Sequence, residues 1–418
     1  NRRDELREVA MGAERLEKKL AERLWELGHA GRLKGEESVI TGVIPADGQK
    51  GPRFLLEGYG AQPFLRMNSN SYLGLSLDAE VKAAEDSAVL KYGTGPGAVR
   101  FISGTWAPHV ALERRLAAFH DREAAMLFSS AYATVMGLLP QLITDRTAVI
   151  SDELNHNCII NAIALGRPAE KRIWRHLDLA DLERHLTEAA KSCDRAIVVT
   201  DGVFSMRGDH APLDAVRSII DAHDANFAEN AILVVDDSHG VGAFGRTGRG
   251  TEEVTGAKAD LLVGTLGKAF GVNGGYVTGS ATVIRYLRET SPFYIYSNPI
   301  TPAEAAAACK AVDIVDGPRG RQLLDHLREM TARFRHGLTA LGLETLPGEH
   351  PVVPLMVRDT TRTATLVAHL RNAGILATGL NFPVVPKGDE EIRFQISADH
   401  TPFDVDEALA ALGAFAGR

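Results

Sequence analysis

The stretch Asp260-Leu-Leu-Val-Gly-Thr-Leu-Gly-Lys-Ala-Phe-Gly271 places a short apolar run, Leu261 to Val263, just before a lysine flanked by glycines. The run reads as the opening of a buried strand, Leu261 to Thr265. Gly264 and Gly267 let the backbone turn sharply and let a bulky group come close. Lys268 then emerges at the end of a core strand, with no acid beside it in sequence. Loss of solvation there lowers its pKa and makes its amine nucleophilic. An isolated lysine in such a turn is ordinarily a solvated surface residue. What surrounds it in the fold decides between these readings.

Working outward, Ala125 to Phe128, Ala148 to Ser151, Lys171 to Trp174, Ala196 to Thr200, Ile232 to Asp236 and Gly275 to Thr278 are similar short apolar runs. Helical patterns lie between many of them, for example His109 to His120 and Asp178 to Lys191. This alternation predicts an α/β fold with a large, mostly parallel sheet flanked by helices. Ligands of such sheets bind beyond the carboxyl ends of the strands. From Thr301 the pattern changes to a small α+β region. It comprises helices at Pro302 to Val315, Gly320 to Leu341, Thr361 to Ala373 and Pro402 to Phe415. Its strands are Pro351 to Val357, Ile375 to Ala377 and Ile392 to Ile396. At the other end, Asp4 to His29 reads as one helix with an apolar stripe of Leu6, Val9, Ala13, Leu16, Leu20, Leu24 and Leu27. That stripe must bury itself against the chain's own core or against a partner chain. Short strands are expected around Ser38 to Val43, Phe54 to Tyr59 and Pro63 to Asn68. The expected division is a helix and arm over 1–65, a large α/β domain over 66–300 and a small α+β domain over 301–418.

The 418 residues are 45% apolar and 24% charged, with a net charge of −8. An acidic chain argues against nucleic-acid binding, which needs a basic face. Cys158, Cys193 and Cys309 fit neither a metal motif nor a disulfide framework, which points to a reducing, cytoplasmic compartment. No apolar run reaches the length of a membrane span. The first residues lack a signal-peptide core and an initiator Met, as expected of a trimmed chain or of a module from a longer protein.

The strand ends carry the chemistry. Ser130-Ala131-Tyr132 opens a helix whose free N–H groups suit a phosphate. His156 follows the next strand, placed to stack on a flat ligand. Ser205 sits in a glycine-bounded loop. Asp236 leaves a buried strand, which is costly for an acid unless it meets a cation, and His239 follows it. Thr265 offers a hydroxyl to an anion, and Lys268 an amine. An Asp-rich strand end also admits a metal, although no metal ligand set is assigned. Together these groups make a phosphate cradle, a ring-stacking His, an acid for a ring nitrogen and a Schiff-base lysine. Pyridoxal phosphate (PLP) needs that set.

Asn68-Ser-Asn-Ser-Tyr-Leu-Gly-Leu75, Val99-Arg-Phe-Ile-Ser-Gly-Thr105, Thr200-Asp-Gly-Val-Phe-Ser-Met206, Val235-Asp-Asp-Ser-His-Gly-Val-Gly242, Thr265-Leu-Gly-Lys-Ala-Phe-Gly271 and Ser397-Ala-Asp-His-Thr401 resemble the α-oxoamine synthases. The likeness runs from about Arg66 to Leu412. It implies a fold-type I PLP enzyme, a homodimer with active sites at the subunit interface. By matching position, Lys268 would carry the cofactor, Asp236 would pair with the ring nitrogen and His156 would stack on the ring. Ser205 and His239 would lie near the ring hydroxyl. Thr265 and the backbone at Ser130, Ala131 and Tyr132 would hold the phosphate, with Ser297 reaching the partner's phosphate. Arg393 would bind the amino-acid carboxylate, with Asn70 beside the substrate. Four positions depart from the family pattern: Ala131 in place of Gly, Asn157-Cys158 in place of Ala-Ser, Arg207 in place of an acid, and Val384 in place of Thr.

The implied reaction condenses an amino acid with an acyl thioester, usually with loss of CO2, to an α-amino ketone. The thioester is carried by CoA or by an acyl carrier protein. Glycine C-acyl transfer without net decarboxylation, an aldolase or aminotransferase activity, a non-catalytic scaffold and a metal enzyme built on Asp236, Asp237 and His239 stand as alternatives.

Overall fold

Continuous apolar runs such as Ala196-Ile-Val-Val199 suit strands covered on both faces, and that is how they fold. The computed structural model describes residues 2–30, 32, 33, 35, 37–382 and 384–416, with side chains over 13–415 of that range. In chain order the strands are β1 (Ile40–Ile44), β2 (Arg53–Leu56), β3 (Leu65–Arg66), β4 (Ala124–Phe128), β5 (Thr147–Asp152), β6 (Glu170–Trp174), β7 (Arg195–Asp201), β8 (Ala231–Asp236), β9 (Leu261–Thr265), β10 (Gly275–Gly279), β11 (Val352–Met356), β12 (Ile375–Leu376), β13 (Thr378–Leu380) and β14 (Glu391–Gln395). The helices that matter for the site are α1 (Arg2–His29), α2 (Ala79–Tyr92), α3 (Ala107–Phe119), α4 (Ala131–Leu142) and α5 (Asn157–Gly166).

Strands β4 to β10 form one sheet in the order β4-β10-β9-β8-β7-β5-β6. Strand β10 is antiparallel to both its neighbours, and the pairs from β9 to β6 are parallel. Side chains alternate between two cores. Ala196 and Val198 pack on one face with Val235 and Leu262. Ile197 and Val199 pack on the other with Val234 and Val263. The parallel strands therefore end along one edge, where Asp152, Asp201, Asp236 and Thr265 are the last residues. Asp201 and Asp236 are direct register partners. Gly275 faces both Thr265 and Phe128, which brings the start of α4 to the same edge.

The C-terminal sheet has the order β11-β14-β13 and is antiparallel. The segment before the large sheet is tied to this end of the chain. Strand β3 pairs with β12, and the buried Arg53 guanidinium meets Asp404 at 2.6 Å. The expected strands at Phe54 to Tyr59 and Pro63 to Asn68 shorten to β2 and β3, because Gly58 turns the chain with φ 80°. The apolar stripe of α1 does not bury itself on the chain's own core: Leu16, Leu20 and Leu24 are 59%, 53% and 57% exposed. Leu6 and Val9 lie outside the residues whose side chains are described.

Candidate active site

Most of the candidate side chains follow the ends of strands in the large sheet. After β9, Gly267 and the bend that follows turn Lys268 into a cavity beyond the sheet edge. The same cavity is lined by Ala131, Tyr132, His156, Ser205, Asp236 and His239, so seven residues singled out in the sequence meet there. Burial pushes the Lys268 amine down to about 8, against the upward pull of the Asp236 and Asp201 carboxylates. No described side chain accepts a hydrogen bond from it.

Asp236 Oδ1 accepts from Ser238 N at 3.1 Å and from Ser238 Oγ at 2.5 Å. Its other oxygen has a weaker donor, the Cys158 thiol at 3.6 Å. Asp201 stands beside it, 5% exposed. Burial, and then Asp236, raise the Asp201 carboxyl well above the usual range. One Asp201 oxygen accepts from His156 N at 3.2 Å, while Oδ1 is buried with no partner among the described residues. Asp237 points elsewhere. Its carboxylate takes Thr251 N at 2.6 Å and Thr251 Oγ1 at 2.7 Å. A Cβ built on Gly202, Gly240 or Gly250 would fall within 2.2 Å of it. Asp237 therefore packs the turns behind the site. Among the described residues no cluster of three or more His, Cys, Asp or Glu is arranged for a metal.

His239 Nδ1 lies 2.7 Å from the Tyr72 hydroxyl. Burial, and then the Lys268 charge, hold its imidazole well below its ordinary pKa, so it is neutral. His156 caps α5, its Nδ1 accepting from Cys158 N at 3.3 Å. Burial lowers its pKa, against the nearby Asp236. Tyr132 stands edge-on to this ring, with centroids 6.4 Å apart. The Tyr132 hydroxyl donates to Asn157 Oδ1 at 3.0 Å and meets Asn161 Nδ2 at 2.5 Å. Tyr132 and Asn157, which replaces the family's usual alanine, thus form one hydrogen-bonded unit.

Ser130 is the N-cap of α4, and its hydroxyl is taken by Ala133 N at 3.1 Å. Among the described residues nothing accepts from the backbone N–H groups of Ala131 and Tyr132 at the helix start. Close approach there depends on Gly275, whose built Cβ would lie 2.3 Å from Ala131 N. Thr265 is buried, with Oγ1 3.2 Å from Gly274 O and 3.1 Å from Gly267 N.

Arg393 lies outside the cavity lining but is joined to it, donating to Ser205 O at 3.0 Å. Its Nε and Nη2 lie 3.2 and 2.9 Å from the Gln395 side chain when that amide presents its oxygen. Asn70 is 2.8 Å from the same amide. Ser297 is not brought to this cavity; it sits beside Tyr296, which is 79% exposed. Sequence reasoning assigned no role to Asp201, Ser238 or Tyr72. Asp201 had a usable signal, since it ends its strand as Asp236 does.

These groups fit PLP. A free helix N-terminus suits a phosphate, a buried carboxylate faces the cavity, an amine of depressed pKa opens on it, and a buried carboxyl oxygen lacks a protein partner.

The comparisons agree with this chemistry. Residues 62–412 match the aminotransferase class I and II family model. The 8-amino-7-oxononanoate synthase of Geobacter metallireducens is 40% identical over 369 residues, covering 88% of this chain and 92% of that protein. The human mitochondrial 2-amino-3-ketobutyrate coenzyme A ligase is 39% identical over 385 residues, covering 91% and 88%. A serine palmitoyltransferase from S. paucimobilis, solved with PLP, superimposes with a TM-score of 0.85 at 26% identity, covering 96% of this chain and 97% of that one.

Proposed function

We propose how the residues of this chain divide the work, from the premise that it belongs to the aminotransferase class I and II family and, within it, to the α-oxoamine synthases, fold-type I enzymes that use PLP to condense an amino acid with an acyl thioester. PLP, when bound, supplies an electron sink for the carbanion formed at the amino-acid α-carbon. Lys268 would hold the cofactor through its amine and, once freed, would serve as the base for the α-proton. Its depressed pKa suits both tasks, because a neutral amine is a base and a nucleophile. Asp236 keeps the proton on the ring nitrogen. His156 covers the ring face and donates to the carbonyl oxygen as charge develops there. Ser205 and His239 hold the ring hydroxyl. Thr265 and the N–H groups of Ala131 and Tyr132 hold the phosphate, behind the Ser130 cap. Arg393, fixed by Ser205 O and Gln395, offers its fork to the substrate carboxylate, with Asn70 behind it. In the reaction proposed, the amino-acid α-carbon would bond to the acyl carbon as the thiol leaves, usually with loss of CO2 and return of a proton to the α-carbon, giving the α-amino ketone.

The observation that carries this reading is the meeting of Lys268 and Asp236 in one cavity beside a free helix N-terminus. Lys268→Ala is expected to lose the visible absorbance of lysine-bound cofactor and at least about 10³-fold in thiol release. Retention of both would refute the assignment.

The assembly proposed is a homodimer with Ser297 reaching the partner's phosphate. Phe101 and Ile102 are 63% and 64% exposed in the single chain, close in sequence to the buried Arg100–Glu113 pair. Three free cysteines support a cytoplasmic setting. No described helix is long and apolar enough to cross a membrane. An acyl carrier protein is a candidate thioester donor alongside CoA. Equal rates with the free and carrier-bound acyl group would remove the reason to prefer it.

A further inference from the structure

A second polar constellation lies behind the cavity, and the roles above do not use it. His176 follows β6 and sits between two carboxylates. Its Nδ1 is 3.0 Å from Asp152 Oδ1, and its Nε2 is 3.2 Å from Asp209 Oδ2. Both ring nitrogens thus face acceptors, and the imidazolium is the form with two N–H groups to give them. The side chain is 13% exposed and stands edge-on to Phe204, with centroids 4.4 Å apart.

The two carboxylates belong to different loops of the site. Asp152 ends β5 and begins the turn that leads to His156. Its oxygens also accept from Leu154 N at 2.9 Å and Leu177 N at 3.2 Å. The backbone of His176 reinforces this side, donating to Glu153 Oε1 at 2.8 Å. Asp209 closes the loop that carries Ser205, its carbonyl accepting from Phe204 N at 2.9 Å. Asp209 Oδ2 also takes Arg207 Nε at 2.8 Å, so the departure at Arg207 adds a second cation to the same carboxylate. Asn155 joins the base of the first loop to β7, through Val199 O and Asp201 N, both at 2.8 Å. His176 is what bridges the first loop to the loop carrying Ser205.

We propose that His176 is a positioning residue whose charged ring clasps the His156 loop to the Ser205 loop and so sets the slot that receives the flat cofactor ring. This rests on the reading of the cavity as a PLP site. Two charge-assisted hydrogen bonds on one partly buried ring are strong by protein standards. Either bond alone would orient one loop; sharing the ring couples both.

The clasp has a pH signature. The charged groups around it are Asp152 and Glu153 from one loop and Asp209, paired with Arg207, from the other, while Arg175 on its own segment pairs with Asp178 and Asp181. Burial pulls the imidazole down, but the Asp152 and Asp209 hydrogen bonds outweigh it, and its pKa is pushed up from 6.5 to about 9. A histidine whose pKa rises on folding stabilises fully below its unfolded pKa and loses that contribution as pH rises through the folded one. The clasp therefore holds at neutral pH and opens above about 9.

The test compares holoenzyme with His176→Gln, which keeps a donor but not the charge. Backbone amide exchange is read over 153–157 and 203–209, together with the PLP dissociation constant, across pH. At neutral pH the variant is expected to exchange faster in both segments and to bind PLP at least about tenfold more weakly. The wild type should converge on it above the titration. Loosening confined to one segment, unchanged PLP affinity, or a gap that does not shrink with pH would overturn the proposal. If His176→Gln fails to fold, Asp209→Asn serves instead: faster exchange at 153–157, on the other loop, is expected, and an effect confined to 203–209 overturns it. Neither readout needs turnover, so a protein that bound PLP without condensing substrates would still decide the matter.

Discussion

Asp201 and Asp236 end neighbouring parallel strands in direct register, yet their surroundings differ. Asp236 accepts two hydrogen bonds from Ser238, whereas Asp201 Oδ1 has no protein partner. Burial, and then the Asp236 charge, raise the Asp201 carboxyl well above its usual range and favour its protonated form. An amide is close in shape and hydrogen bonding to a protonated carboxyl. Asp201→Asn is therefore expected to stay within about threefold of wild type in turnover, while Asp236→Asn loses at least about 10²-fold. Steady-state rates on the two variants check this, and equal losses would mean the roles are misassigned. At this scale Lys268, Asp236 and His156 were legible because each residue type is unusual where a buried strand ends. The role of Asp201 was not, because its carboxyl matters through a cross-strand neighbour that appears once β7 and β8 pair. The link between Tyr132 and Asn157 was hidden for the same reason: the two are 25 residues apart and meet across the starts of two helices.

The start of α4 is the proposed phosphate cradle, and its placement depends on β10. A methyl on Gly275 would lie 2.3 Å from Ala131 N and 2.4 Å from Ser130 C, both backbone atoms that cannot turn aside. Gly275→Ala is expected to cost about 1–3 kcal/mol of stability and to weaken PLP binding. Denaturant melts and a PLP titration check it; an unchanged midpoint with unchanged affinity would show that the helix start can give way. The large-sheet strands were readable to within about a residue, because strands covered on both faces are unbroken apolar runs bounded by turns. Strand β13, with the sequence Thr-Gly-Leu, is too short to show a period. Helix α2 lacks a clear apolar face, although Asp78 caps it by accepting from Glu80 N and Val81 N.

Across the whole molecule, several large apolar side chains stay exposed on the single chain. Phe101, Ile102 and Tyr296 stand open, and so does the stripe of α1. Pairing of two chains over the first group is the proposed cause. Replacing Phe101 and Ile102 together by Glu is expected to shift sedimentation from dimer to monomer, and an unshifted dimer would place the interface elsewhere. The proposed three-part division has a seam that hydropathy could not show, because β3 pairs with β12 across more than 300 residues of sequence. The central claim concerns chemistry: one chain joins an amino acid to an acyl thioester. The most direct measurement mixes purified, PLP-loaded protein with a panel of amino acids and short and long acyl thioesters, following CO2 and free thiol together. Release of the two in equal amounts, dependent on both substrates, is predicted. Conversion of the amino acid to an oxo acid without thiol release would contradict it.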